Sequence, residues 1–427
     1  AFYAWWRLDF TLLLIASTFV DYTCARLIHR SKTSLGRKGW LAGSILFNLG
    51  LLGYFKYANF GIDNFNSILG ALGGAPVGWT EVVLPVGISF FTFQTMSYTI
   101  DVYRGDVEPT RNPLDFGTYV AMFPQLVAGP IVRYKQIAES LHQRTHSVDQ
   151  FASGAVLFVI GFNKKVLLAN NFGLAADEVF GHGAQGMASA WLGLLAYTFQ
   201  IYFDFSGYSD MAVGLGRMLG FEYPRNFDGP YRSKSITEFW RRWHISLSTW
   251  IRDYLYFSLG GNRHGVWKTY RNLAVAMLLC GLWHGANWTF IVWGAFHAAL
   301  LISERLNGKQ PLYGKLPAPA RVAVTWLLVM IGWLVFRSAD MGDFWIHLQA
   351  LVDVSQLGFA PDAYWVRQPA FFVLTATGFL LVFKGTDAFE LARRRSLVIV
   401  LAQFVLFVLS LGELLSQGFN PFLYFQF

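Results

Sequence analysis

The feature that most constrains the fold is a long segment without charge. No Asp, Glu, Lys or Arg occurs in the 32 residues from position 272 to position 303. As one straight helix this segment would be about 48 Å long, whereas the hydrocarbon core of a bilayer is about 30 Å thick. The segment must therefore bend or break. We predict the break at residues 281–287, where two glycines and an asparagine surround His284 and place it near membrane depth on irregular backbone.

Apolar stretches recur along the whole chain and indicate several membrane-spanning helices. Hydrophobic residues make up 54% of the sequence and charged residues only 14%, whereas soluble proteins carry about 25% charged residues. We therefore predict an all-α fold, that of a polytopic integral membrane protein, and exclude a disordered chain, a coiled coil and a secreted disulfide-rich domain. The clearest apolar stretches cover residues 10–20, 40–55, 82–100, 151–163, 186–203, 322–336, 370–383 and 396–411.

Several of these stretches are shorter than the roughly 20 residues that a straight span needs. They are expected to be tilted or half-length helices. The segment 116–132 contains Pro124, Gly129 and Pro130, which predicts broken or re-entrant backbone covered by protein. No internal repeat is visible, which disfavours a transporter built from inverted repeats.

The distribution of Lys and Arg predicts the topology, since cytoplasmic loops carry an excess of both. Residues 21–39, the strongly basic stretch 204–271 and the loop with Arg393, Arg394 and Arg395 are predicted inside. Residues 61–80 and 171–185 carry neither Lys nor Arg and are predicted outside, as is the C-terminus. This bias explains the net charge of +8 without a nucleic acid as partner. Because the chain starts at Ala1 without Met or signal peptide, we expect a missing N-terminal beginning.

His284 is the first candidate for chemistry. An ionisable side chain inside a membrane segment costs about 2.5–3.5 kcal/mol even on insertion scales, so such residues are functional candidates by default. Imidazole also has a pKa suited to proton transfer near neutral pH. The alternative is a neutral histidine held by packing, which is the interpretation we prefer for His297.

His244 is the second candidate, within a segment that alternates Trp with Arg. On a helix, Trp240, Trp243 and His244 would share one face. Tryptophan and arginine at a membrane surface are usually interface anchors. A cofactor carrying phosphate would instead use guanidinium groups for phosphate and indole rings for stacking. Both interpretations remain open, and the residues concerned are Trp240, Arg241, Arg242, Trp243 and Arg252.

Other polar residues have structural interpretations. Asp204 is expected to cap a helix or to hydrogen-bond across the helix bundle. Lys164 and Lys165 are expected to extend to the membrane surface from the end of an apolar stretch. The C-terminal Tyr424 fits an aromatic belt at the interface, or a phenol that accepts an acyl group. No metal site is predicted, because the His142 and His146 pair lacks a third ligand with suitable spacing.

Seven motifs together resemble the membrane-bound O-acyltransferase family. The resemblance spans nearly the whole chain and is strongest from residue 54 to residue 294. The motifs are GYFKYANFG at 53–61, PVGISFF at 85–91, YTIDVYRG at 98–105, FPQLVAGP at 123–130, YFDFSGYSDMA at 202–212, FWRRWHISLSTW at 239–250 and GLWHG at 281–285.

The resemblance implies roles for particular residues. The invariant histidine of the family corresponds to His284, and a second histidine of the family corresponds to His244. The implied fold is one membrane domain over residues 1–427, a ring of tilted and broken helices around a thinned centre with two funnels. The tail at 421–427 is similar to a terminal motif in which a tyrosine is thought to relay an acyl group, which implies that role for Tyr424.

The resemblance also implies a function: acetyl transfer from cytoplasmic acetyl-CoA across the bacterial inner membrane to an exported polysaccharide. Alginate is the first expectation for the acceptor, with peptidoglycan and cellulose open. Expected partners are acetyl-CoA, which is not permanently bound, and periplasmic acetyl carriers and transferases, in addition to the lipid bilayer. The rival interpretations are a polysaccharide exporter or flippase, and a non-catalytic scaffold for a synthase.

Overall fold

The computed structural model describes residues 3–5, 7–181, 186–361, 363–394, 396–416 and 418. Within these ranges the regular structure is helical and contains no strand, so the all-α prediction is confirmed. Five segments are long and apolar enough to cross a membrane, which confirms a polytopic membrane protein. They are Leu8–Arg30, Val148–Gly181, Trp288–Leu306, Ala318–Arg337 and Leu397–Ser416.

Contacts divide the chain into two compact units. The first contains residues 1–146 and 220–223, and the second contains residues 147–219 and 224–427. Each unit has its own buried interior. The ring of helices and the single domain that the resemblance implies stay predictions.

The first unit contains one long helix between shorter ones. α2 has 38 residues, about 57 Å at 1.5 Å per residue, which exceeds the predicted apolar stretch 40–55. Residues 122–133 include only one short helix, so the predicted break in segment 116–132 is confirmed. The helices of this unit are α1 (Leu8–Arg30), α2 (Ser34–Ala71), α3 (Ile88–Arg104), α4 (Pro113–Ala121), α5 (Phe123–Leu126) and α6 (Tyr134–His142).

The prediction of a loop at residues 21–39 is wrong, because only residues 31–33 separate α1 from α2. Asp21 is fully buried on α1 and accepts hydrogen bonds from Ser44 and from Asn48 Nδ2, the latter at 2.8 Å. The polar residues that made this stretch resemble a loop in the sequence are hydrogen-bonded between two helices. Residues 61–71 also belong to α2, where Asn64 and Ser67 donate to carbonyl oxygens of their own helix.

The second unit contains the remaining twelve helices of the described residues. A π-helical turn at Lys164–Asn170 joins α7 to α8, and another at Ile251–Tyr256 follows α11. The helices are α7 (Val148–Asn163), α8 (Asn171–Gly181), α9 (Met187–Met218), α10 (Ile236–Arg242), α11 (Ile245–Trp250), α12 (Val266–His284), α13 (Trp288–Leu306), α14 (Ala318–Arg337), α15 (Met341–Ala350), α16 (Pro369–Phe383), α17 (Ala388–Arg393) and α18 (Leu397–Ser416).

Two predicted loops in this unit need correction. Residues 171–181 form α8, and residues 204–218 form the second half of α9, so the basic connection begins only at residue 219. Lys165 Nζ lies 2.7 Å from Asp204 Oδ1, and Lys164 Nζ lies 2.6 Å from Asp210 Oδ2. The prediction that the two lysines extend to the membrane surface is wrong, because both pair from the π-helical turn with aspartates of α9. The predicted interaction of Asp204 across the bundle is confirmed.

Glycine residues bring the two halves of the uncharged segment together. α12 ends at His284 and α13 begins at Trp288, so the predicted break is confirmed. A Cβ on Gly294 would lie 2.5 Å from the carbonyl oxygen of Met277, and a Cβ on Gly281 would overlap the carbonyl oxygen of Phe290. α12 and α13 are therefore an antiparallel hairpin in close backbone contact. Its turn directly follows His284.

Candidate active site

The backbone of His244 is in the left-handed helical region, with φ at 42° and ψ at 56°. Side chains other than Gly, Asn and Asp rarely adopt this conformation, which costs on the order of 1–3 kcal/mol and concentrates at functional sites. The conformation separates α10 from α11. The prediction that Trp240, Trp243 and His244 share a helical face is therefore wrong, because α10 ends at Arg242.

Asn226 holds the strained backbone and the ring of His244 in place. Asn226 Oδ1 lies 3.2 Å from His244 Nδ1 and accepts hydrogen bonds from the amide and hydroxyl of Ser246. The Asn226 carbonyl oxygen accepts from Ile245 N at 2.9 Å, and its amide nitrogen donates to Ser209 Oγ at 2.9 Å. One side chain thus fixes the orientation of the imidazole from α9 and α11 together.

His284 lies in an aromatic pocket at the end of α12. Its ring centroid is 5.0 Å from Trp283, 5.2 Å from Trp293 and 5.2 Å from Phe336. The side chain is 5% exposed. The hairpin turn that follows His284 is irregular, as predicted, while its depth in a bilayer stays a prediction.

The structure brings His244 and His284 to the same pocket. The ring of Trp283 lies 6.0 Å from the ring of His244 and also contacts His284. Burial lowers the pKa of His244 well below its usual value, and the nearby His284 lowers that pKa further. His244 is therefore a neutral imidazole at neutral pH, the form that accepts a proton.

Trp240 and Trp243 belong to the aromatic interior around this pocket. Trp243 is buried and lies 4.8 Å from Trp333. The indole nitrogen of Trp240 donates to His297 Nδ1 at 3.3 Å, so His297 has a packing partner on α10. Both indoles pack inside the protein, and their role in cofactor binding stays a prediction.

The three arginines of the predicted cofactor site differ in their surroundings. Arg241 is exposed at the end of α10. Arg242 pairs with Glu238 at 2.8 Å, and Arg252 pairs with Asp253 at 2.7 Å while more than half of its side chain is exposed. Their guanidinium groups are accessible without breaking the aromatic core. The binding of a phosphate there stays a prediction.

Sequence reasoning missed three residues of the site. Asn226 lies in a connection without a recognisable motif. Buried Glu304 of α13 accepts hydrogen bonds from the amides of Ile236 and Thr237, at 2.6 and 2.9 Å, and so anchors the start of α10. The indole nitrogen of Trp293 is buried beside His284 and has no hydrogen-bond partner among the described residues. Trp293 could have been identified from the register of the α12–α13 hairpin, which places it beside His284. The sequence does not locate the turn of this hairpin to a single residue, so the register could not be predicted.

The predicted relay residue Tyr424 and the motif at 421–427 lie outside the described residues. Their role stays a prediction.

Comparisons with known proteins agree with the motifs. The model of the membrane-bound O-acyltransferase family matches residues 108–336, which include both histidines. A probable alginate O-acetylase AlgI of Azotobacter vinelandii is 44% identical, with all of this chain and 92% of the relative covered. The Pseudomonas aeruginosa protein of that name is 50% identical over 82% of this chain and 67% of its own length.

A more distant relative is the peptidoglycan O-acetyltransferase of Helicobacter pylori. It is 35% identical, and the match covers 83% of this chain and 72% of the relative. The resemblance inferred from the motifs is thus confirmed. The prediction that the chain is an enzyme, rather than an exporter or a scaffold, is confirmed as well. With its helical membrane fold and paired histidines, the chain belongs to the membrane-bound O-acyltransferase family and is an O-acyltransferase.

Proposed function

We propose that this enzyme transfers acetyl groups from cytoplasmic acetyl-CoA to an exported polysaccharide, with alginate as the first candidate. The observation that carries this proposal is the meeting of His244 and His284 at one buried aromatic pocket. Relatives named alginate O-acetylases cover most of the chain, which supports both the acetyl group and the acceptor class. The relative named for peptidoglycan keeps that acceptor open, together with cellulose.

His284 is the proposed general base. Its imidazole removes the proton of an acceptor hydroxyl while the oxygen attacks the thioester carbon of acetyl-CoA. An O–C bond forms, the C–S bond breaks, and the proton passes from the imidazolium to the departing thiolate. A positioned base of this kind contributes about 10²–10⁴-fold to the rate. His244, fixed by Asn226, assists in positioning or proton transfer.

Trp293 is the proposed donor to the acyl oxygen. The carbonyl oxygen gains negative charge when the hydroxyl attacks, and buried donors stabilise such charge strongly. The Trp293 indole lies beside His284, and its buried N–H has no acceptor among the described residues. An acyl carbonyl oxygen would satisfy this donor.

The donor is proposed to bind at the basic surface with Arg241, Arg242 and Arg252. Guanidinium groups bind phosphate through charge-assisted hydrogen bonds, and acetyl-CoA carries several phosphates. The accessible positions of Arg241 and Arg252 at the ends of α10 and α11 support this role. The engaged Trp240 and Trp243 are then supports for the segment rather than stacking platforms.

The remaining parts of the proposal concern location and partners. The multi-pass chain is proposed to lie in the bacterial inner membrane with a periplasmic C-terminus. Tyr424 accepts the acetyl group there, and periplasmic carrier and transferase proteins pass it to the polysaccharide. An aryl acetate is a good donor because its phenolate leaves more readily than a sugar alkoxide.

The test follows labelled acetyl groups from radiolabelled acetyl-CoA in membranes that contain the periplasmic partners. We expect acetyl on the polysaccharide with the unchanged chain, and loss of this product with Tyr424→Phe while CoA release persists. The conservative change keeps the ring and removes only the hydroxyl. Full activity of Tyr424→Phe would remove the relay and return the tail to an interface role, and absence of any acetyl transfer would contradict the proposed function.

A further inference from the structure

A large cavity lies in the second unit, and neither His244 nor His284 is among its lining residues. Its volume is about 710 Å³, within the range of about 300–1,000 Å³ that is typical of ligand sites. The cavity lies between α16, α17 and α18, with α7 and α9 behind it, and its lining is mainly apolar. Neither histidine lines it, and of the residues proposed to bind the acetyl donor only Arg242 does.

The cavity is open along the side formed by α16 and α18. Val373 and Leu381 of α16 line it and are 68% and 45% exposed, and Leu406 of α18 lines it and is 36% exposed. Both helices are apolar, and α18 is long enough to cross a membrane. Exposed apolar side chains on the helices of a membrane protein are expected to contact hydrocarbon, so we expect this side to face the bilayer. A molecule that enters here must be soluble in the bilayer.

One end of the cavity is basic. Its lining contains Lys164, Arg225, Arg232 and Arg242 against only Asp228 and Asp387. Lys164 is paired with Asp210, and Arg225 is paired with both lining aspartates. Arg242 is paired with Glu238.

Arg232 is bound differently from the other three cations. Its Nε and terminal nitrogen donate to the carbonyl oxygens of Val382, at 2.6 Å, and Gly385, at 2.7 Å. Within the described part of the chain no carboxylate pairs with it. A positive charge without a carboxylate partner therefore stands at the end of an apolar, laterally open cavity.

We propose that this cavity is a binding site for an anionic phospholipid, with one acyl chain between α16 and α18 and the phosphate at Arg232. A chain from the bilayer fits the apolar lining and the open side. A phosphate would be the negatively charged partner that Arg232 does not have among the carboxylates of the described residues. Guanidinium groups bind phosphate through charge-assisted hydrogen bonds. The same phosphate chemistry is present in CoA, but the hydrocarbon-facing entrance favours a lipid.

The cavity is linked to His244 by two neighbouring residues, Arg225 and Asn226. Arg225 lines the cavity, and the next residue holds the imidazole of His244. Lipid binding can be measured without acetyl transfer. The experiment therefore measures bound lipid rather than activity, so that it separates this proposal from the proposed function.

The test is native mass spectrometry of the purified full chain in detergent, with phosphatidylglycerol or phosphatidylcholine of identical acyl chains. We expect one retained phosphatidylglycerol and a weaker retention of phosphatidylcholine. Arg232→Gln should lower the affinity for phosphatidylglycerol by about tenfold, because one charge-assisted contact is lost. The matched control Lys234→Gln changes an exposed cation two residues away and should leave the affinity unchanged.

A second variant covers the case in which Arg232→Gln fails to fold, since Arg232 also holds the end of α16. Leu374→Trp fills the apolar part of the cavity without removing a charge, and it should displace the acyl chain. Equal retention of both lipids, unchanged binding in Leu374→Trp, or displacement of the lipid by glycerol 3-phosphate alone would overturn the proposal. Displacement by equimolar acetyl-CoA would assign the cavity to the acetyl donor instead.

Discussion

At the residue scale, His244 combines a strained backbone with complete burial. A left-handed conformation at a histidine persists only where the surroundings enforce it. Here Asn226 supplies both a main-chain and a side-chain contact that do so. A structural role alone would be served better by glycine or asparagine, which tolerate this conformation. The presence of an imidazole at this strained position therefore supports a chemical role.

The strained backbone of His244 predicts different outcomes for two substitutions at this position. Asn tolerates the left-handed backbone, so His244→Asn should keep thermal stability while acetyl transfer falls by about 10²-fold. His244→Ala should lose similar activity and also stability, because alanine does not relieve the strain. Unfolding temperature and labelled acetyl transfer measure the two effects. Full activity of a folded His244→Asn variant would remove His244 from the catalytic site.

If Trp293 donates to the acyl oxygen, removal of its indole N–H alone should lower kcat. Trp293→Phe keeps an aromatic ring against His284 and removes the indole nitrogen. We expect kcat to fall by about 10²-fold, as for other oxyanion donors, with little change in KM. Trp326→Phe is the matched control. The indole nitrogen of Trp326 is also buried without a partner among the described residues, whereas its ring packs against α16 and not against His284. An equal kcat for Trp293→Phe and the unchanged protein would refute the donor role.

At the scale of elements, the α12–α13 hairpin determines where His284 lies. The length of the uncharged segment predicted a break, and the glycines indicated its position. That α13 returns along α12 could not be predicted, because it depends on the contact of Gly281 with Phe290 and of Gly294 with Met277. These contacts involve residues that no periodic pattern relates to each other.

The hairpin predicts a large effect of one added methyl group. Gly281→Ala places a Cβ against the carbonyl oxygen of Phe290, which cannot move without shifting α13. Overpacking of this kind costs about 1–3 kcal/mol, and the resulting shift of His284 should reduce acetyl transfer. Gly412→Ala on α18 is the matched control, since its Cβ would meet nothing within 4 Å. Thermal unfolding in detergent compares the two, and equal stability would contradict the close packing.

Helix ends were less predictable than helix existence. The segment around His244 has a helical pattern on both sides, and only the left-handed backbone at one residue interrupts it. Lys164 and Lys165 follow an apolar stretch, which favoured an interfacial position. Their partners Asp210 and Asp204 lie about 40 residues later in the sequence, and such long-range pairs cannot be identified from local composition.

At the scale of the whole molecule, composition and charge bias predicted the class of protein. The membrane fold and the enzyme family are confirmed, while the sidedness of the chain stays a prediction. Several predicted loops were helical, and in the predicted loop 21–39 the polar Asp21 is satisfied inside a helix pair. The short connection 31–33 is nevertheless basic, because it contains Lys32 and directly follows Arg30.

Sidedness can be measured with single cysteines in the first unit. Lys32→Cys and Ala75→Cys place exposed thiols at opposite ends of α2, and the native Cys24 and Cys280 are buried. The positive-inside rule predicts that a membrane-impermeant maleimide labels residue 75 in intact cells and residue 32 only after the membrane is opened. Labelling of residue 32 in intact cells would invert the proposed topology.

His284 is the proposed base of acetyl transfer, and replacement of its imidazole is the most direct test of this role. The measurement is the rate of acetyl transfer from radiolabelled acetyl-CoA by the purified His284→Ala variant with its partners, alongside its unfolding temperature. We predict a rate at least about 10²-fold lower in a protein that stays folded and inserted, with partial recovery on adding free imidazole. A folded variant that transfers acetyl at the unchanged rate would contradict the account, and so would a loss of activity explained entirely by unfolding.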